Sequence, residues 1–272
     1  MNLNSSNPLI AIWGPPRSGT TWLGQIFDSH PEVAYRFQPL FSYRFKAAVS
    51  SMSSVDQIYE FMAGLTATDD DFVLQTTKRG NGLVPRFEKT TPTHLVFKEV
   101  RYLHLAEHFL ATVPNSIAVG IIRHPCATIN SWLKTPREFL PEWNWKTEWR
   151  YAPSKNRGLV EEYYGFERWQ WTARLFLDLE ARYPTRFILV RYDDLVATPE
   201  TVISVLFAQC GLGSSGQTSH FIRLSHSTEV DHPDSVYRKP DVVNRWNKEL
   251  TTEIRDSILS ECRGTTLEQF CR

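Results

Sequence analysis

The stretch Gly14-Pro15-Pro16-Arg17-Ser18-Gly19-Thr20-Thr21 sets two glycines in a Gly-x4-Gly spacing around an arginine, with hydroxyl residues beside and after the second glycine. A turn of this kind ahead of a helix aims successive backbone N–H groups at one point, and the positive end of the helix adds to the attraction for an anion. The spacing therefore predicts a bound phosphate or sulfate. A loop built for nucleoside triphosphates carries lysine directly after its second glycine; here that position is Thr20 and the cation, Arg17, lies inside the loop. Hydrolysis of ATP or GTP is disfavoured, and a different phosphate-bearing ligand is expected. A second pair of donors is Arg123 followed eight residues later by Ser131. Arginine offers a planar fork of N–H donors and serine a hydroxyl, which together suit a phosphate.

These residues need elements to hold them. Leu9 to Trp13 reads as a buried strand and Thr20 to Asp28 as a helix with Trp22, Leu23, Ile26 and Phe27 on an apolar face. Pro31 ends that helix, which makes His30 a helix-end residue rather than a catalyst. A helical stretch is predicted over 47–66, loops with a short helix over 67–92, and a second strand over Thr93 to Val100. Lys98 and Glu99 fall at the end of that strand, where α/β sheets bind their ligands. Ser116 to Ile122 reads as a third strand with Arg123 at its tip and Ser131 two helical turns on. A helix over 165–182, a fourth strand over Arg186 to Tyr192, a helix from Pro199 to Cys210 and a last helix from Thr251 to Cys262 complete the pattern. Alternating strands and helices predict a single α/β domain over 1–272, three-layered and P-loop-like, with a mostly parallel central sheet flanked by helices.

Between 135 and 164 the chain turns irregular and aromatic. A long loop inside a compact domain is usually functional, and its rings argue against disorder. It is read as a lid or acceptor-binding wall, with Trp143 and Trp145 as substrate contacts.

Composition sets the bounds. The 272 residues carry 30 basic and 30 acidic side chains, so no global field draws nucleic acid or an anionic membrane. Cys126, Cys210, Cys262 and Cys271 form no C-x-x-C pair and are too sparse for a disulfide framework. No cluster with metal-ligand spacing is visible, so no metal is expected. The N-terminus lacks a basic start with a long apolar run, and no stretch approaches the roughly 18 apolar residues of a membrane span. A cytoplasmic enzyme is expected.

The Pro-Arg-Ser-Gly-Thr-Thr loop resembles the 5′-phosphosulfate loop of sulfotransferases that use 3′-phosphoadenosine 5′-phosphosulfate (PAPS), in the form seen in carbohydrate and tyrosylprotein sulfotransferases. The Arg123/Ser131 spacing resembles that family's 3′-phosphate motif, and the order of loop, Lys98 strand, Arg123 turn and the 187–199 segment is the family's order. The resemblance implies transfer of a sulfuryl group from PAPS to a hydroxyl or amine. It places Arg17, Ser18, Gly19, Thr20, Thr21 and Trp22 at the 5′ end, Arg123 and Ser131 at the 3′-phosphate, and Tyr192 near the nucleotide. It matches Ser225 and Lys239, with Arg238 adjacent, to a C-terminal nucleotide loop. Lys98 matches a family lysine that neutralises the bridging oxygen as its bond breaks.

The proton acceptor departs from that pattern. Where the related enzymes commonly place a glutamate this chain has Gln38, and an amide cannot take a proton. Glu99 is the leading substitute, ahead of His104 and His94, with Gln38 left to orient the acceptor. A secondary metabolite is preferred over a saccharide as that acceptor. Two other readings stay open: a PAPS-binding protein without catalysis, and a small-molecule kinase on a related loop.

Overall fold

The computed structural model describes residues 8–228 and 243–272. Five strands, β1 (Leu9–Trp13), β2 (Val33–Phe37), β3 (His94–Glu99), β4 (Ser116–Ile122) and β5 (Phe187–Arg191), form one sheet in the order β2-β3-β1-β4-β5. Every neighbouring pair is parallel. A parallel sheet covered on both faces buries both sets of side chains, which is why β1 and β4 read as unbroken apolar runs. Ile12 lies opposite Lys98 on one side and Val119 on the other, and Phe37 lies opposite Lys98. All five strands thus end on one edge of the sheet.

Helices fill the crossovers. α1 (Thr20–Asp28) joins β1 to β2; α2 (Val55–Ala67), α3 (Asp71–Leu74) and α4 (Thr76–Gly80) lead to β3; α5 (Ala106–Thr112) leads to β4. α6 (Pro125–Leu133), α7 (Trp145–Tyr151), α8 (Pro153–Asn156) and α9 (Phe166–Arg182) precede β5. After it come α10 (Tyr192–Ala197), α11 (Pro199–Gln209), α12 (Gly216–Ser227), α13 (Trp246–Glu249) and α14 (Thr252–Cys262). Strand alternation divides the core into two layers. Leu9, Ala11, Trp13 and Phe97 pack with Phe61 of α2, Phe109 of α5 and Phe176 of α9. Ile10, Ile12 and Val96 pack with Ile26 of α1, Phe207 of α11 and Phe221 of α12. Each such fully buried side chain contributes about 1.5–3 kcal/mol. A third cluster joins Cys126 of α6, Trp169 of α9 and Ile258 of α14.

The architecture matches the three-layer, mostly parallel expectation, with corrections in detail. The sequence pattern does not mark β2, an edge strand whose fourth residue, Arg36, is a buried arginine. Arg36 is accommodated because its guanidinium donates to Leu65 O (2.5 Å), Tyr35 O (2.9 Å) and Thr66 O (3.2 Å), and burial still pushes its pKa down to about 10. The helical stretch predicted over 47–66 begins only at Val55, where Ser54 and Gln57 form a capping box. Strand β5 stops at Arg191, so Tyr192 opens a helix instead of closing a strand. The aromatic insert holds two short helices, α7 and α8.

Candidate active site

The ends of β1, β2, β3 and β4 meet the start of α1 and of α6 around a cavity of about 550 Å³. Gly14 to Thr20 carry the chain from β1 into α1, with Ser18 N donating to Pro15 O at 3.2 Å. Two residues of the loop are left-handed, Arg17 at φ 71° and Gly19 at φ 89°. Gly19 is required twice over: a Cβ there would lie 2.2 Å from Cδ2 of Tyr192. The first N–H groups of α1 have no acceptor within the helix, and Gly19, Thr20, Thr21 and Trp22 line the cavity. Ser18 is fully buried, does not line it, and its hydroxyl makes no hydrogen bond to the described residues.

The two donor sets read from the sequence converge. Arg17 donates from Nε to Ser131 Oγ at 3.1 Å, and Arg123 donates from Nη1 to Arg17 O at 3.3 Å. Arg123 leaves the tip of β4 buried beneath the ring of Tyr192, 4.8 Å from its centroid, and its own carbonyl accepts from Trp169 Nε1 at 3.0 Å. The next residue, His124, caps α6 and stacks on Trp246 at 4.3 Å; burial pushes its pKa down to about 4. A neutral ring keeps Nδ1 as the acceptor for Cys126 N at 3.2 Å.

Lys98 is 1% exposed, yet its ammonium meets hydroxyls instead of a carboxylate: Thr20 Oγ1 at 3.5 Å and Thr21 Oγ1 at 3.4 Å. It sits 4.5 Å from the centroid of Phe37. Loss of water pushes its pKa down to about 7, against the opposing pull of Glu99 and Glu138. A buried cation without a neutralising partner, beside a loop of inward N–H groups, fits an anionic ligand.

Glu99 is not part of this arrangement. Successive strand residues face opposite sides of a sheet, so Lys98 looks into the cavity while Glu99 enters the other layer, where Oε1 accepts from Leu40 N at 2.7 Å. Burial pushes its carboxyl up to about 8. The structure does not bring Glu99, the proton acceptor expected from the sequence, to the cavity. His104 likewise spends Nδ1 on Tyr163 OH at 3.1 Å, and His94 opens β3 at the opposite end from Lys98. Gln38 does line the cavity, at φ 42° just past β2.

The remaining predicted residues separate. Trp22 and Tyr192 line the cavity, edge to face at 6.3 Å. Ser225 lies on α12 and accepts from Trp22 Nε1 at 2.9 Å, so it holds the indole. Arg238 and Lys239 lie outside the described residues. Trp143 and Trp145 are not brought to the cavity: Trp143 packs edge-on to Phe139 at 5.7 Å, and Trp145 packs against the third cluster. The insert instead supplies Glu138 and Tyr164 to the lining. Sequence reading missed Glu138, as well as His226, Trp246 and Glu249; its nearest signal was the carboxylate seven positions beyond Ser131. Among the described residues no metal-ligand cluster of three side chains occurs, and no helix is long and apolar enough to cross a membrane.

A parallel sheet whose glycine loop, buried lysine and arginine–serine pair face one cavity defines a group-transfer site for an anionic donor. Residues 8–215 match the sulfotransferase family, and the chain belongs to that family. It is 25% identical, over 92% of its length and 81% of the other's, to a Caenorhabditis briggsae protein described as a protein-tyrosine sulfotransferase. The fold is shared with mouse sulfotransferase SULT7A1, solved with PAP (TM-score 0.57, 13% identity, 99% of this chain and 88% of that one). It is shared too with the sulfotransferase domain of the Synechococcus PCC 7002 olefin synthase (TM-score 0.53, 17% identity, 93% and 91%). Retinol dehydratase, solved with retinol and PAP, aligns at TM-score 0.53 and 14% identity over 98% and 84%.

Proposed function

We propose that this chain transfers a sulfuryl group from PAPS to a hydroxyl or amine of a compact small-molecule or saccharide acceptor, a secondary metabolite before a saccharide. The observation that carries the reading is the junction of Arg17, Arg123 and Ser131 beside the buried Lys98: cations and hydroxyls for two phosphate groups on one wall of one cavity. PAPS supplies an activated sulfuryl group on a good leaving group. Arg17 and the N–H groups from Gly19 to Thr21 hold the 5′-phosphosulfate, Arg123 and Ser131 hold the 3′-phosphate, and Trp22 and Tyr192 flank the nucleotide. Lys98 places its ammonium where charge grows on the bridging oxygen, a donor whose removal typically lowers rates about a hundredfold to a thousandfold.

Two observations support a compact acceptor. The cavity holds about 550 Å³ for donor and acceptor together, and the insert closes one side of it with Glu138 and Tyr164. The relation to a protein-tyrosine sulfotransferase favours a second acceptor class, a tyrosyl peptide. Calorimetric titration with adenosine 3′,5′-bisphosphate tests the donor site, with ATP as control. Micromolar binding that collapses in Arg123→Ala, with weaker binding of ATP, supports the reading. Absence of binding, or preference for ATP, sinks it. Turnover of labelled PAPS with simple phenols, amines and a tyrosyl peptide then separates the acceptor classes.

A further inference from the structure

From the carboxylate geometry we infer that Glu138, carried by the insert, is the group that takes the acceptor's proton. This inference rests on the sulfuryl-transfer reading of the same cavity. Two carboxylates occur among the described lining residues, Glu138 and Glu249. Glu249 is engaged: Oε2 accepts from Asn130 Nδ2 at 2.7 Å and pairs with Lys134 Nζ at 3.2 Å. Glu138 is paired more loosely: its Oε2 forms an ion pair with Arg17 Nη1 at 3.7 Å, yet it is buried and accepts no hydrogen bond from the described residues. That places an available oxygen next to the loop cation and close enough to Lys98 for their charges to interact.

The position of Glu138 is held firmly. Its N–H donates to Thr135 O at 2.9 Å, and its carbonyl accepts from Trp132 Nε1 at 3.2 Å. Trp132 is itself buried between Phe139 and Tyr164. The insert's aromatic residues thus serve to fix a carboxylate on the cavity wall, rather than to stack on the acceptor. At Gln38 the amide can orient an acceptor but cannot take its proton.

The step balances without a further reactant. The acceptor oxygen or nitrogen forms its bond to sulfur as its proton passes to Glu138 Oε2, and the sulfur–oxygen bond to the 5′-phosphate breaks with its electron pair left on that phosphate. The proton on Glu138 then leaves to solvent.

The test measures sulfate release from sulfur-labelled PAPS by the full chain, with water as the acceptor, beside titration with adenosine 3′,5′-bisphosphate. General-base loss typically lowers rates about a hundredfold or more, so E138Q should slow by that order and keep near-normal bisphosphate affinity. E138D should recover part of the rate. With a nitrophenol acceptor, which ionises near neutrality unaided, the deficit of E138Q should shrink. E138Q at the wild-type rate overturns the assignment, as does wild type that binds the bisphosphate but releases no sulfate above the blank. Parallel loss of binding and rate in E138Q would mean that the carboxylate only positions Arg17, and overturns it too. Wild type that fails to bind the bisphosphate overturns the underlying reading as well.

Discussion

Arg17 and Ser131, 114 positions apart, are joined by a 3.1 Å hydrogen bond from Nε to Oγ that ties the glycine loop to the second turn of α6. The carbonyl of the same arginine accepts from Arg123. The loop at the end of β1 and the turn at the end of β4 therefore form one surface, made possible because β1 and β4 are direct neighbours in the sheet.

Removing the Ser131 hydroxyl should weaken bisphosphate binding. One hydrogen bond to an ionised phosphate is worth about 1.5–3 kcal/mol, or roughly tenfold to a hundredfold in Kd, whereas Arg123→Ala removes a full charge together with its fork of donors and should cost more. Titration of Ser131→Ala and Arg123→Ala under one condition checks the order. Equal affinities for Ser131→Ala and wild type would leave Ser131 a partner of Arg17 alone.

Gly19→Ala should destabilise the fold as well as the site. The new methyl would combine a left-handed backbone at φ 89° with a 2.2 Å approach to the Tyr192 ring; strain and overpacking of this kind cost about 1–3 kcal/mol each. Tyr192→Ala in the same chain should restore part of the loss, since it removes the clash but not the backbone strain. Urea unfolding of Gly19→Ala, Tyr192→Ala and the double variant reads both contributions. Full rescue would assign the whole effect to the ring.

Glu99→Gln should change how stability depends on pH. The folded carboxyl, raised to about 8 from an ordinary value of 4.5 by burial, keeps its proton where the unfolded chain has released it. The contribution of Glu99 to stability is therefore greatest below the unfolded value and falls as pH rises toward about 8, by an amount on the order of 4 kcal/mol. The glutamine variant has no proton to lose, so its curve should be flatter across that window, while its carbonyl still accepts from Leu40 N. Denaturant midpoints at several pH values check this. An unchanged slope would mean that Glu99 is ionised in the fold.

How far the sequence was legible follows from where each residue sits. Leu9–Trp13 and Ser116–Ile122 are buried apolar runs and the helix from Thr20 packs an apolar face into the core, so their patterns leave one reading. The strand Val33–Phe37 was hidden because Arg36, which reads as solvent-facing, is satisfied by carbonyls of α2 and its own strand. α12 was hidden by its polar sequence, only Thr218, Phe221, Ile222 and Ser225 being buried. At the site, the loop could be read from its Gly-x4-Gly spacing, and Arg123 from its place at a strand tip in the order that the family resemblance supplies. Glu99 was misassigned because adjacency to Lys98 in sequence means opposition across a sheet. Glu138 and Trp246 reach the cavity through tertiary packing of an aperiodic insert and a distant helix, which no local pattern encodes.

Lys98 should take up a proton when the bisphosphate binds. In the unliganded chain its pKa lies near 7 because burial removes water from the ammonium, so at about pH 8 most molecules carry a neutral amine. An anion bound against Lys98 favours the charged form and raises that value. Binding near pH 8 should then draw close to one proton from the buffer, binding near pH 6 almost none, and affinity should fall as pH rises above about 7. Titrations in two buffers of different ionisation enthalpy measure the uptake directly, and Lys98→Met should abolish it while lowering transfer by about a hundredfold or more. Uptake that persists in Lys98→Met would belong to another group, with the phosphate itself the first to examine. No uptake in wild type would mean that Lys98 is already charged before the ligand arrives, held so by a field stronger than Glu138 and Glu99 provide.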